Sequence, residues 1–144
     1  MFVETLTETL QFGRQFAKEL TPKSIVLLKG PIGAGKTSFV KGIAEGLSIS
    51  EDITSPTFAL SHHYYSGSIP LIHLDLYRIE NSLMAQEFFL TEEEEAFQNE
   101  AIIVIEWPQL VEPFISDFWK IEISYANNGR NYKIWDPKNS ITCP

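Results

Sequence analysis

A chain of 144 residues with 44% hydrophobic and 12% aromatic content has enough apolar side chain to close one core, and a single domain is expected. Its formal net charge of −8 argues against holding nucleic acid on a broad cationic surface of its own, because that mode needs many Lys and Arg contacts to phosphate. Its single cysteine, Cys143, excludes an internal disulfide and a cysteine-built metal centre, and it reads as an inert tail residue.

The start Met1-Phe2-Val3-Glu4-Thr5 lacks the basic opening and apolar stretch of a secretory signal, and no run is long enough to span a bilayer, so a cytoplasmic location without membrane contact is expected. Thr5 to Leu20 then predicts an amphipathic helix with Leu6, Leu10, Gly13, Ala17 and Leu20 near one face and Phe16 beside them. Thr5 with Glu8 fits a capping box, and Pro22 ends the segment. Thr9 lies inside this helix as a tolerated threonine.

Ile25-Val26-Leu27-Leu28 has the pattern of a buried strand, and the helical spacing of Phe39, Val40, Ile43 and Leu47 follows it. Between them stands Gly30-Pro31-Ile32-Gly33-Ala34-Gly35-Lys36-Thr37, which fills all eight positions of the phosphate-binding template in its strand, loop and helix context. Glycines at 30, 33 and 35 are expected to take positive φ and turn several N–H groups toward one point, to which the helix beginning near Lys36 adds its positive dipole end. Lys36 is placed to reach the outer phosphates of a nucleotide, and the Thr37 hydroxyl to ligate a bridging magnesium ion.

Ile53-Thr54-Ser55-Pro56-Thr57-Phe58 follows. Ser55 and Thr57 are candidates for a mobile loop that offers a hydroxyl to magnesium and the outer phosphate, and a plain polar turn accounts for them equally. Phe58 to Tyr65 predicts a strand; the adjacent His62 and His63 point to opposite faces there, cannot chelate one ion together, and read as structural. In Leu71-Ile72-His73-Leu74-Asp75-Leu76 the residues Ile72, Leu74 and Leu76 face one side, and His73 and Asp75 the other. Asp75 stands where an acid can serve the magnesium or the attacking water.

Asn81 and Ser82 can cap a helix through Leu83, Met84 and Phe88, and Thr91 a second one from Glu92 to Phe97, whose four successive glutamates read as a solvated face. Ala101-Ile102-Ile103-Val104-Ile105 predicts another buried strand. It ends in Glu106-Trp107-Pro108, with Glu106 a magnesium partner or water-positioning group and Trp107 either a lid over the site or core filling. Phe118 to Tyr125 and Arg130 to Asp136 are alternating strands joined by a tight turn at Asn127-Asn128-Gly129. The expected fold is α/β, a P-loop NTPase with a parallel central sheet, antiparallel edge strands and flanking helices.

Gly30-Pro31-Ile32-Gly33-Ala34-Gly35-Lys36-Thr37, Ser55-Pro56-Thr57-Phe58, His73-Leu74-Asp75-Leu76-Tyr77-Arg78 and Glu106-Trp107-Pro108, in this order and in a chain this short, resemble the bacterial TsaE (YjeE) family of ATPases. The likeness runs from about Thr9 to Arg130. It implies ATP and magnesium as cofactors, and a part in forming threonylcarbamoyladenosine after the anticodon of tRNA. It also implies TsaD and TsaB as partner subunits, with tRNA met only through their complex. By the same resemblance Ile32, Gly33, Ala34, Gly35, Lys36, Thr37 and the adjoining Ser38 would hold the phosphates. Thr37, Glu106 and Asp75 would serve the metal, and Lys36, Asp75 and Glu106 the chemistry. Thr57 would belong to the mobile loop, with Trp107, Thr9 and Arg130 near the nucleotide. Pro31 and Ile32 replace the acidic residue and leucine usual in the family, a change the backbone contacts tolerate.

Two other classes compete. A small-molecule P-loop kinase is disfavoured by the lack of an acceptor-binding insertion or an arginine-rich lid, and a signalling GTPase by the lack of an Asn-Lys-x-Asp stretch. Arg78 reads as an arginine finger, a partner contact or a surface ion pair.

Overall fold

Blocks of β-branched residues alternate with amphipathic segments, and the computed structural model stacks them in three layers; it describes residues 1–138 and the backbone of 141–142. Cys143 lies outside the described residues. The elements are β1 (Phe2–Val3), α1 (Leu6–Ala17), β2 (Ile25–Lys29), α2 (Lys36–Gly46), β3 (Ser61–Tyr64), β4 (Leu71–Asp75), α3 (Ser82–Asn99), β5 (Ile102–Glu106), β6 (Trp119–Ala126), β7 (Gly129–Trp135) and β8 (Ile141–Thr142).

One sheet runs in the order β1-β7-β6-β2-β5-β4-β3, with β8 also on β7. Its centre is parallel, β2 lying between β5 and β6 and β4 beyond β5, while β3 pairs antiparallel with β4 and β1, β6 and β8 do so with β7. The fold is thus the α/β class expected. Strands covered on both faces read as unbroken aliphatic runs, which is why Val26, Leu27 and Leu28, and Ile102 to Ile105, are almost completely buried. On one face Val26, Leu28, Leu71, Ile102 and Val104 pack with Phe39, Val40 and Ile43 of α2 and Phe12 and Phe16 of α1. On the other, Leu27, Ile72, Leu74, Ile103 and Ile105 pack with Ala85, Phe89 and Ala96 of α3.

The two helices of the first layer touch at glycines. A Cβ on Gly13 would lie 2.6 Å from the Phe39 carbonyl oxygen, and one on Gly42 would lie 2.5 Å from that of Leu10. Both obstacles are backbone. Gly13→Ala should therefore pry α1 from α2 and cost about 1–3 kcal/mol of stability, the range for overpacking a filled interface. Denaturant unfolding checks this, and an unchanged midpoint contradicts the contact.

Five local expectations are corrected. The first helix spans Leu6–Ala17 rather than Thr5 to Leu20, and its buried face is Thr9, Phe12, Gly13, Phe16 and Ala17, with Leu6 at 61% exposure. The rotation follows from the aromatics: Phe12 and Phe16 meet Phe39 at 5.5 and 5.7 Å between ring centres, and Phe12 meets Tyr132 edge-on at 5.0 Å. The cap itself is as read, Thr5 Oγ1 accepting from the Glu8 N–H, while Glu8 accepts from Glu4 rather than from Thr5.

The strand expected over Phe58 to Tyr65 is only Ser61–Tyr64, because Leu60 takes φ 69° and ends a turn that leaves Phe58 87% exposed beneath the Arg78 guanidinium. The two helices expected after Asn81 are one, Ser82–Asn99, with Asn81 accepting from the Met84 N–H and the Thr91 hydroxyl donating to the Glu87 carbonyl inside the continuous helix. Nor is the glutamate run wholly solvated. Glu92 is buried, accepting from Ser61 Oγ at 3.0 Å and lying 2.7 Å from His63 Nε2, so it pins α3 to β3. His62 and His63 do take different partners, His62 facing Thr54, in keeping with a structural role. Finally, Gly33 and Gly35 have φ 79° and 93° whereas Gly30 does not share that conformation; it is needed because a Cβ there would stand 3.0 Å from the Ile123 carbonyl.

One buried hydroxyl goes unanswered. Tyr132 Oη makes no hydrogen bond of good geometry among the described residues, and burial pushes its ionisation above the ordinary tyrosine value against a smaller downward pull from the nearby Thr9 hydroxyl, which itself donates to the Thr5 carbonyl. Tyr132→Phe should raise stability by about 1 kcal/mol. A lowered melting point would show that the hydroxyl is bonded after all.

Candidate functional site

β2 delivers the chain into the loop 30–35, and α2 begins at Lys36 with Gly35 as its N-cap and no side-chain cap. The first N–H groups of an uncapped helix have no partner within the helix and carry its positive dipole end. With Gly33 and Gly35 in the left-handed region, the loop can fold around an anion without a Cβ in the way.

Lys36 is 6% exposed, and its Nζ donates to the carbonyls of Gly30 at 2.7 Å and Pro31 at 2.8 Å while lying 4.4 Å from the Trp107 ring centre. Burial holds it below the usual lysine value, against the upward pull of Glu106 and then Asp75.

Those two acids come together through strand register. Asp75 and Glu106 are Cα partners at the carboxyl ends of the parallel neighbours β4 and β5, the edge where open α/β sheets present their ligand groups. Each is almost fully buried, and each is held by its neighbours. Asp75 Oδ2 accepts from Thr57 Oγ1 at 2.7 Å and Ser55 Oγ at 3.4 Å, and Oδ1 accepts from the Tyr77 N–H at 2.9 Å. Glu106 Oε2 accepts from Thr37 Oγ1 at 3.3 Å and lies 2.6 Å from His73 Nε2.

The loop therefore stands between two adjoining cavities. The larger, of about 470 Å³, is lined by Ile32, Gly33, Gly35, Lys36, Thr37 and Ser38 from the loop and α2, and by Ser55, Thr57, Asp75, Tyr77, Glu106 and Trp107 opposite. The smaller, of about 260 Å³, shares Gly33, Gly35 and Ser38 and adds Ala34, Thr9 from α1 and Arg130 from β7. Arg130 donates to the Gly33 carbonyl at 3.3 Å and lies over Tyr125, whose hydroxyl donates to the Ile32 carbonyl at 2.8 Å. Every site residue expected from the sequence thus lines one cavity or the other. A separate concavity of about 310 Å³ beside α3, with Lys23, Leu90 and Phe97 on its walls, offers no comparable convergence of loop amides and acids.

Among the groups lining the larger cavity, the Thr37 hydroxyl and the carboxylates of Asp75 and Glu106 are oxygen donors of the kind a hard divalent cation takes. Among the described residues no three His, Cys, Asp or Glu side chains form a complete cage. No hydrogen bond among the described residues uses Glu106 Oε1.

Sequence reasoning missed three contributors. His73 shares a sheet face with Asp75 two residues on, and that period of two beside an acid-ended strand was the available signal. Tyr77 packs its ring 4.8 Å from Trp107, and Tyr125 braces the loop from the hairpin. Trp107, at φ 57°, belongs to the cleft wall with Lys36 against its face. Drawing Lys36 away should change its emission, so saturating ATP with magnesium is expected to shift Trp107 fluorescence, and an unchanged spectrum places the ring outside the events at the site.

A family model described as threonylcarbamoyl adenosine biosynthesis protein TsaE matches residues 3–133. The tRNA threonylcarbamoyladenosine biosynthesis protein TsaE of Synechocystis is 42% identical over 112 residues, covering 75% of this chain and 69% of that protein. Its namesake in Nostoc is 38% identical over 133 residues, covering 90% and 80%. The crystal structure of Bacillus subtilis YdiB superposes with a TM-score of 0.74 at 28% identity, covering 92% of this chain and 80% of that one.

Proposed function

The chain belongs to the TsaE family, and from that premise we propose that it is a magnesium-dependent ATPase subunit serving threonylcarbamoyladenosine formation in tRNA, working with TsaD and TsaB and meeting tRNA through their complex. The observation that carries the reading is the register pairing of Asp75 with Glu106 directly across the cleft from Lys36 and Thr37. No described helix is long and apolar enough to cross a membrane, and the −8 charge suits a protein that leaves the RNA to a partner.

In this reading the triphosphate tail lies along residues 32–38, its oxygens taking the loop and helix N–H groups. Lys36 exchanges the Gly30 and Pro31 carbonyls for the outer phosphates, a favourable trade because charge-assisted bonds to phosphate are stronger than bonds to neutral carbonyls. Thr37, Glu106 and Asp75 are the groups that would hold magnesium, which would supply positive charge to offset that of the triphosphate. Asp75 is aimed by Thr57 and Ser55, so the loop 53–60 reports to the acid, and its hydroxyls are the ones that move when the outer phosphate arrives. Thr9 and Arg130 line the second cavity, where the nucleoside is accommodated.

The test is co-purification with TsaD and TsaB with and without ATP, paired with phosphate release by each mixture. Nucleotide-dependent association and a changed release rate in the mixture are expected. A labelled phosphate appearing on a metabolite rather than as free phosphate would instead make the chain a kinase, and efficient displacement of ATP by GTP would also contradict the proposal.

A further inference from the structure

His73 is wholly buried on β4, its Nε2 lies 2.6 Å from Glu106 Oε2, and its Nδ1 is buried with no hydrogen-bond partner among the described residues. Facing a carboxylate oxygen at 2.6 Å, the ring must carry a proton on Nε2, because a proton on Nδ1 alone would set two lone pairs against each other. An unanswered ring nitrogen is still a cost that an aliphatic side chain filling the same space would avoid. What only the imidazole provides is the N–H fixed on Oε2.

We propose that His73 is a positioning residue for the nucleotide and metal site: its Nε2–H anchors Glu106 by Oε2 and so leaves Oε1 as the oxygen turned to the cleft. The anchor divides labour at Oε2. The Thr37 hydroxyl, at 3.3 Å, is the looser of the two partners and can leave for a cation, whereas His73 keeps the carboxylate in place when it does. Outer partners of this kind commonly change metal affinity by about 10- to 100-fold when removed. The inference rests on the proposed role of Glu106, and its test separates the two.

Calorimetric ATP affinity is measured with magnesium and with EDTA for the wild-type chain, His73→Gln and His73→Leu, alongside melting points. Wild type should bind more tightly with magnesium. His73→Leu should lose about tenfold or more of that gain while its affinity in EDTA stays unchanged, and His73→Gln, which restores an N–H near the same place, should keep most of it. If His73→Leu keeps the gain, or if His73→Gln loses as much as the leucine variant, the inference is wrong and the site reading stands. A wild-type chain without any magnesium gain removes both. Nitrogen-15 spectra of the wild-type histidine give an answer independent of whether the leucine variant folds: a proton on Nε2 supports the assignment, and a bare Nε2 overturns it.

Discussion

Lys36→Ala is expected to reduce magnesium-dependent ATP hydrolysis by about 100- to 1000-fold, the usual loss when one preorganised donor to a developing anion is removed. The same change should hardly disturb the nucleotide-free protein. The carbonyls that Lys36 serves belong to a half-buried Gly30 and an exposed Pro31, where water can replace the ammonium. Its own charge is held against burial, which lowers its ionisation from 10.5. The sign follows from linkage. Between the lowered folded value and 10.5 the unfolded chain binds more protons at this lysine, so the group adds stability as pH rises through that window. The alanine variant should lack this alkaline gain in melting experiments, and a variant that collapses at neutral pH would show that Lys36 is structural rather than reserved for a ligand.

Glu106 gives the second large effect, and two substitutions divide its roles. Glu106→Gln keeps an oxygen for the His73 N–H but no charge, and Glu106→Ala keeps neither. Both should lower hydrolysis by about 100-fold or more, the scale expected for losing an electrostatic group at the reacting phosphate. Only the alanine should also cost stability, by about 1–3 kcal/mol, because it leaves a buried donor unpaired. Urea unfolding beside a phosphate-release assay reads both. Equal stability losses in the two variants would mean that the carboxylate charge itself supports the fold.

These effects rest on residues that differ in how visible they were. The strand at Ile25 to Leu28, the loop and the buried positions of α2 were legible because they are local: aliphatic run, glycine spacing and helical period are written in consecutive residues. The convergence of Asp75 and Glu106 was legible as two acid-ended strands, though their adjacency is a matter of sheet order and register. His73 was legible as sharing a strand face with Asp75, but its partner Glu106 is set by β5 lying beside β4, so its part in the site was not read. Of the face expected for the first helix, Gly13, Phe16, Ala17 and Leu20 are buried, but Leu6 is exposed and Thr9 and Phe12 turn inward instead, because Phe12 and Phe16 meet Phe39 and Tyr132, an aromatic contact that leucine periodicity alone cannot weigh. Glu92 looked like one more charge in an acidic run until β3 brought His63 and Ser61 to it.

The most direct measurement is a crystal structure with magnesium and a non-hydrolysable ATP analogue. The phosphate tail should be seated on the N–H groups of residues 32–38, with the Lys36 Nζ moved from Gly30 and Pro31 to an outer phosphate and a cation between Thr37 and the Glu106 carboxylate. An analogue bound elsewhere, or Lys36 still on its two carbonyls with the cleft vacant at saturating ligand, would contradict this arrangement.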